Sequence, residues 1–225
     1  MNKLRLLTVA FFVTSLMSLS VMAVEVRVGV SAGFAHIEAD GSETLKDTGL
    51  VSTHAEEANA IIPSFFAEFA MDNGLGIGYD YISASADLAP SARTQVHSTP
   101  VDAGNDSGTN SVNAEIDDLS TVYLIKSFES GFLLKIGMTQ ADVATKETLA
   151  TGSTYGNASL DGKMYGVGFQ RSNDSGIFFR TAIEVNEYDT LNLTSGVADA
   201  VSGTTNTIKA DIDTTVAKFS IGKVF

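Results

Sequence analysis

Thr215-Val216-Ala217-Lys218-Phe219-Ser220-Ile221-Gly222-Lys223-Val224-Phe225 closes the 225-residue chain, and its reading governs how the rest is read. Counted at a period of two, Ala217, Phe219, Ile221 and Phe225 fall on one face, and Lys218, Ser220 and Gly222 on the other. The pattern predicts a β-strand with one side against an apolar medium. Lys223 falls on the apolar side, which a lysine tolerates at a water interface by laying its stem along apolar surface while its ammonium stays wet.

The same rhythm recurs upstream. Val24 to Phe34 sets Val24, Val26, Val28, Val30, Ala32 and Phe34 against Glu25, Arg27, Gly29, Ser31 and Gly33. From Ser64 to Met71, Phe65, Ala67, Phe69 and Met71 oppose Ser64, Phe66, Glu68 and Ala70, with Pro63 at the strand's end, where a missing donor is tolerated. Leu75, Ile77, Tyr79 and Tyr81 oppose Gly76, Gly78 and Asp80. Between Leu119 and Phe128, Tyr123 and Ile125 read as the apolar face and Lys126 as the polar one. Phe132, Leu134, Ile136 and Met138 oppose Leu133, Lys135, Gly137 and Thr139; Tyr165, Val167 and Phe169 oppose Gly166, Gly168 and Gln170. Ile177, Phe179, Thr181, Ile183 and Val185 oppose Phe178, Arg180, Ala182 and Glu184. Three short turns, Asp72-Asn73-Gly74, Glu129-Ser130-Gly131 and Asn173-Asp174-Ser175-Gly176, separate these runs, with Asn73-Gly74 expected to supply the positive φ values of a right-twisted hairpin. They alternate with four long polar stretches, about residues 39–58, 87–118, 145–157 and 193–206, which read as loops. Eight strands follow, with both chain ends on the short-turn side.

Composition narrows the setting. Residues 1–23 hold Lys3 and Arg5, an apolar run from Leu6 to about Leu19, then Val21-Met22-Ala23, the pattern of a cleaved secretory signal peptide; residues 24–225 are then the one domain. Losing Lys3 and Arg5 takes the formal charge from -13 to -15, and such an acid excess argues against nucleic acid as a partner. The chain has no Cys, hence no disulfide, thiolate metal site or Cys nucleophile. No apolar run after residue 23 approaches the roughly 20 residues of a spanning helix, so a membrane would be crossed by strands. The 20 Gly against 3 Pro suit many strands joined by polar loops.

The eight-strand rhythm, the leader and a terminal Phe on the apolar face together resemble the small outer-membrane β-barrel families: the transmembrane domain of OmpA, OmpX and the opacity-type adhesins, often described as porin-like. The resemblance covers residues 24–225, and only Phe225, with Ile221 and Phe219 of its strand, is residue-specific. It implies an all-β fold: a transmembrane, antiparallel, up-and-down barrel of eight strands, with short periplasmic turns and long extracellular loops, in the outer membrane of a Gram-negative bacterium. It further implies that the closing strand is read by the barrel assembly machinery, that the wall meets outer-membrane lipid and lipopolysaccharide, and that no peptidoglycan-binding domain follows. Phe69, Tyr79, Phe132, Tyr165, Phe169 and Phe179, with Phe219 and Phe225, are expected to form a periplasmic-side aromatic girdle. A soluble eight-stranded barrel or β-sandwich would also alternate, but its polar face would carry charges freely, whereas here that face is rich in Gly, Ser, Ala and Thr.

Assigning the polar face to the lumen collects Glu25, Glu68, Asp80 and Glu184 with Arg27, Lys126, Lys135, Arg180 and Lys218. An eight-stranded barrel is only wide enough for side chains to fill, so these charges are expected to pair. Glu25, Arg27 and Lys218 are expected together where the first and last strands meet, with Arg27 within reach of Glu68. The network could form a polar core or a gated ion path. The resemblance implies a non-enzymatic structural or surface-interaction role, adhesion-like, carried by acidic loops that meet an extracellular ligand; a narrow channel is the alternative, and a lipid-modifying enzyme a third reading. His36 is the one candidate base, with Ser31, Ser83 and Ser85 near it in sequence, but no nucleophile motif occurs. No cofactor is expected. Asp40, Glu43, Asp47, Glu56, Glu57, Asp87, Asp102, Asp106, Glu115, Asp117 and Asp118 could hold a divalent cation, yet Asp102 to Gly108 lacks calcium-loop spacing, so no metal site is assigned.

Overall fold

The structure, a computed structural model, describes residues 24–44, 49, 51–82, 85–98, 105–148, 154–196 and 205–225, with side chains described at all of these except 86–98, 105–113 and 146–148. The expected signal peptide, residues 1–23, lies outside the described residues.

The described elements are β-strands: β1 (Val24–Thr44), β2 (Val51–Met71), β3 (Leu75–Ile82), β4 (Ala86–Ser98), β5 (Asn105–Ser127), β6 (Phe132–Thr148), β7 (Ala158–Ser172), β8 (Ile177–Tyr188), β9 (Leu191–Thr194) and β10 (Thr207–Val224). All pairings are antiparallel, and β1 pairs with both β2 and β10, which closes the ring. β3 and β4 run one after the other along β5, from Leu75↔Lys126 through Ile82↔Leu119 to Ala86↔Ile116 and beyond. β8 and β9 do the same along β10. The ten segments therefore form an eight-stranded up-and-down barrel with two strands interrupted.

Of the polar stretches expected as loops, 39–58 and 87–118 are mostly strand, whereas in 145–157 and 193–206 strand covers only 145–148 and 193–194 and the other described residues are in no strand. β1 and β2 stay paired from Val24↔Met71 to Thr44↔Val51, and β4 pairs with β5 as far as Ser98↔Asn105. The cause is an inversion of polarity along the barrel. In the short-turn half the outer wall is apolar, with Val30, Phe65, Leu124, Ile136, Ile183 and Phe219 all 46–66% exposed. Toward the hairpin ends the alternation continues with the faces exchanged: Ala35, Ile37, Ile62, Val143, Ile212 and Val216 point inward and are buried, while Glu38, Asp40, Glu57, Asp161, Glu187 and Asp213 point outward. On β1 the outward apolar run from Val26 to Phe34 matches the ~9–11 residues of a transmembrane strand. Above it the barrel is built like a water-soluble one.

Each short turn is closed by a glycine. Gly74 takes φ 77°, donates its N–H to the Met71 carbonyl (2.8 Å), and a Cβ there would lie 2.2 Å from the Ser127 oxygen. Asn73 does not share the positive φ expected for it; its side-chain oxygen accepts the Leu75 N–H instead (2.9 Å).

β5 reverses the expected facing. The β5–β6 register slips between Asp117 and Ser120, with Asp118 at φ 48°. Such a bulge changes which parity faces the core. Below it Tyr123 and Ile125 point inward, both 1% exposed, and Lys126 points out.

Candidate functional site

The lumen of the short-turn half is filled by side chains from every part of the wall. β2 supplies Phe66 and Glu68, β3 Asp80, β5 Tyr123, β6 Lys135, β7 Gln170, β8 Phe178, Arg180 and Glu184, and β10 Lys218; among these Glu68, Asp80, Lys135, Arg180, Glu184 and Lys218 are each at most 6% exposed. Three acids meet three bases, and the group carries no net formal charge.

Arg180 and Glu68 form a two-pronged pair, Nη1 to Oε1 at 2.6 Å and Nη2 to Oε2 at 2.7 Å. Such parallel charge-assisted bonds fix both side chains. Tyr123 donates its hydroxyl to Glu68 Oε1 (2.6 Å), and Gln170 Oε1 accepts from Arg180 Nε (3.0 Å) and Nη2 (2.7 Å). The guanidinium carbon lies 5.2 Å from the Phe66 ring centre and 5.3 Å from that of Phe178, within cation–π range of both. Glu184 bridges two cations, accepting from Lys135 Nζ (2.8 Å) and Lys218 Nζ (2.8 Å), and Lys218 reaches Asp80 Oδ2 at 3.0 Å. Lys135 Nζ also stands 4.2 Å from the Tyr123 ring centre and ties the two halves together.

Glycines make the room. A Cβ on Gly78 would lie 2.3 Å from the Tyr123 ring, one on Gly29 2.5 Å from Phe66, and one on Gly222 2.4 Å from Phe178. Ser31 bonds to Ser220 (2.9 Å) at the level of Arg180, and above the charges Thr121 bonds to Thr139 (3.1 Å) and Asn186 to Thr214 (2.8 Å). A cavity of about 40 Å³ sits there, floored by Glu184 and Lys218 and roofed by Ile37, Ile62, Ile82 and Ile116. That is room for a few waters, not an aqueous bore.

Two groupings expected from sequence do not form. Lys218 pairs in register with Gly33, six residues along β1 from Arg27, so antiparallel stagger carries it away from Glu25 and Arg27. Those two bond to each other near the short-turn rim, Arg27 Nη2 to Glu25 Oε2 at 2.8 Å. Arg27 does lie opposite Glu68 in register, yet Glu68 takes Arg180 from across the lumen. Lys126 is not luminal: its ammonium donates to the Asn73 carbonyl and lies 5.6 Å from the Phe128 ring centre. Tyr123, Gln170, Phe66 and Phe178 join the network without a charge to mark them in the sequence; Gly78, Gly29 and Gly222, opposite Tyr123, Phe66 and Phe178, are the available signal for three of the four.

No family model matches the chain, and no curated protein matches it. Solved structures do. OprG from Pseudomonas aeruginosa superposes with a TM-score of 0.55 at 11% identity, over 91% of this chain and 97% of that one. The outer-membrane protein AlkL gives 0.54 at 9% identity, over 89% and 90%, and the outer-membrane protease OmpT from Escherichia coli 0.53 at 10%, over 89% and 97%. The fold is that of an outer-membrane β-barrel.

On this outer-membrane barrel fold the expected girdle is partly redistributed. Phe132, Phe169 and Phe179 stand exposed on the outer wall within a few residues of the short turns, Tyr79 is half-buried, and Phe69 is 9% exposed in the outward register between Val26 and Ile77. Tyr165 lies at the other edge of the apolar band, one outward position from Lys163 and its partner Glu187. Of the closing strand, Phe219 and Phe225 are 66% and 70% exposed and Ile221 45%; Phe225 is held by its backbone, donating to the Val26 carbonyl at 2.8 Å.

His36 sits just above the apolar band. Its ring nitrogens face Asn59 Oδ1 (3.1 Å) and Glu38 Oε1 (3.3 Å), not a serine hydroxyl. The Asn59 bond and the carboxylates of Glu38 and Glu57 raise its pKa against a smaller desolvation effect. Ser31 points into the lumen and bonds to Ser220, and Ser83 lies outside the described residues. Among the described residues no group of His, Asp and Glu is disposed to hold a metal ion. Asp47 and Asp102 lie outside the described residues, and the side chains of Asp87 and Asp106 are not described.

Proposed function

We propose that this protein is a non-enzymatic structural or surface-interaction component of the outer membrane of a Gram-negative bacterium, with a closed lumen and a display surface at its hairpin end. The observation that carries this reading is the neutral network of Glu68, Arg180, Asp80, Lys135, Glu184 and Lys218 across the lumen. Each charge is matched within 3.0 Å, so moving one to let an ion pass would leave its partner buried and bare. The apolar wall sits in lipid with the short turns toward the periplasm. The tall polar-walled extension stands outside with its carboxylates toward water, where an extracellular ligand meets it.

Planar-bilayer recording of the refolded, heat-modifiable protein tests this. Silent insertion is expected; discrete, reproducible conductance steps would overturn it and bring the narrow-channel reading forward. Turnover of labelled phospholipid or lipopolysaccharide by the refolded protein would overturn the non-enzymatic part.

A further inference from the structure

The outer wall is not evenly covered in the short-turn half. Between β6 and β10 an open apolar groove of about 410 Å³ runs along the lipid-facing side. Its flanks are Phe132 and Phe169 on one side and Phe219 on the other; its floor is Thr181, Ile183 and Ala217. Register explains the shape. Phe132, Phe169, Thr181 and Phe219 form one row across four strands, so a short side chain stands between aromatic ones, and Val167, Ile183 and Ala217 form the next row up.

One outward step toward the short turns, the row continues as Arg171, Phe179 and Ile221, and the step after that brings Lys223 beside Ile177. Arg171 lies against the groove's own wall, its guanidinium carbon 4.8 Å from the Phe169 ring centre, and Lys223 Nζ is 5.3 Å from the Phe225 ring centre. The two cations stand two strands and one row apart, roughly 12 Å between their backbone positions, beneath an apolar trough, with Lys223 in the row farther from it. On a chain of formal charge -13, two cations on the membrane wall flank this trough, and they are the complement of an anionic head.

We propose that this groove is a binding site for one anionic glycerophospholipid of the periplasmic leaflet, its acyl chain lying over Thr181 and Ala217 and its phosphate held by Arg171 with Lys223 alongside. The inference rests on the reading of this wall as membrane-embedded with the short turns toward the periplasm. An alkyl chain fits the trough because the volume lies within the about 300–1,000 Å³ of small-ligand sites, and its lining is nearly all apolar. Cations at a membrane surface attract anionic lipid and repel none of the zwitterionic kind, so headgroup charge is the discriminating property.

Native mass spectrometry of the full chain, refolded from a mixture of phosphatidylglycerol and phosphatidylethanolamine, provides the test. Wild type is expected to retain one phosphatidylglycerol in preference to phosphatidylethanolamine. Arg171→Gln and Lys223→Gln should each lower that preference about five-fold. Thr181→Phe, which fills the floor, should abolish retention of either lipid, while Leu124→Phe on the opposite wall should change nothing. Equal retention of the two lipids by wild type, or equal loss in Leu124→Phe, would overturn the proposal. A dimer whose mass peak disappears with Thr181→Phe would overturn it too, since a second copy would then occupy the groove. Heat-modifiable mobility, recorded on every sample, separates this from failure of the membrane-barrel reading, which would appear as loss of the folded band or of insertion into vesicles.

Discussion

Glu68 has no solvent exposure and meets three donors, two from Arg180 and one from Tyr123. Removing one partner of such a pair strands the other, and Glu68→Ala is expected to lower stability by about 3–5 kcal/mol, read as the urea midpoint of the electrophoretic mobility shift. The double variant Glu68→Leu with Arg180→Met removes both charges and should regain most of that loss; if it is no better than Glu68→Ala, packing and not charge governs the site. Outside the membrane band the logic is reversed. Glu57, Glu38, Asp213 and Glu187 stand directly opposite one another on β2, β1, β10 and β8. Partial burial comes first, and then Glu187 and Glu38, in raising the pKa of Asp213 above 3.8. A carboxyl whose folded-state pKa is raised favours the folded state while protonated, and that favour is lost as pH climbs through the raised value. Asp213→Asn should therefore be more stable than wild type at pH 7, by about 0.2–0.5 kcal/mol for a solvent-screened contact. The difference should shrink toward pH 4; a difference that is flat with pH would count against the row of carboxylates as its source.

Among the elements, β3 and β5 show how tightly the plug is fitted. Gly78 lies opposite Tyr123 in register, and the ring occupies the place where a Cβ would be. Gly78→Ala is expected to destabilise by about 1–3 kcal/mol through overpacking, measured by the same urea midpoint, although alanine is a better strand residue than glycine. The tip of the β4–β5 hairpin is the contrasting case. β4 pairs only with β5, and residues 105–110 of β5 pair only with β4. Replacing residues 93–110 by a short turn should leave the folded fraction and the midpoint unchanged, because no other strand loses a backbone partner. Loss of the heat-modifiable band in that variant would mean that the hairpin is part of the barrel's folding unit.

For the whole molecule, the Phe225 side chain is 70% exposed while its backbone is paired to Val26. A terminal aromatic with so little packing contributes little to the finished fold. Phe225→Ala is thus expected to refold in detergent with an unchanged midpoint, yet to accumulate several-fold less in outer membranes of cells, as a residue read by the assembly machinery would. Equal accumulation of the two proteins, measured by membrane fractionation, would remove the case for a recognition role.

What the sequence by itself determined is what depends on neighbours two residues apart. The alternation in residues 24–34, 64–71, 132–139, 177–185 and 215–225 set the strands, their inward and outward faces, and the three glycine-closed turns, because side-chain period and turn geometry are local. The stretches 39–58 and 87–118 read as loops for a physical reason: the period set by Ala35 and Ile37 carries on into strand, but the medium outside changes from lipid to water, and a strand with charge outward reads as a loop if the apolar side is assumed to face lipid. Lys126 failed because Val122, Tyr123, Leu124 and Ile125 make both faces apolar, so one cation set the reading, and that cation was close enough to the turn to reach water. Only the tertiary structure decided which charges meet. Stagger between β1 and β10 lifts Lys218 away from Arg27, and lumen width brings Arg180 to Glu68 across the barrel, since partners on opposite walls are chosen by register summed around the closed ring, a quantity no local pattern contains.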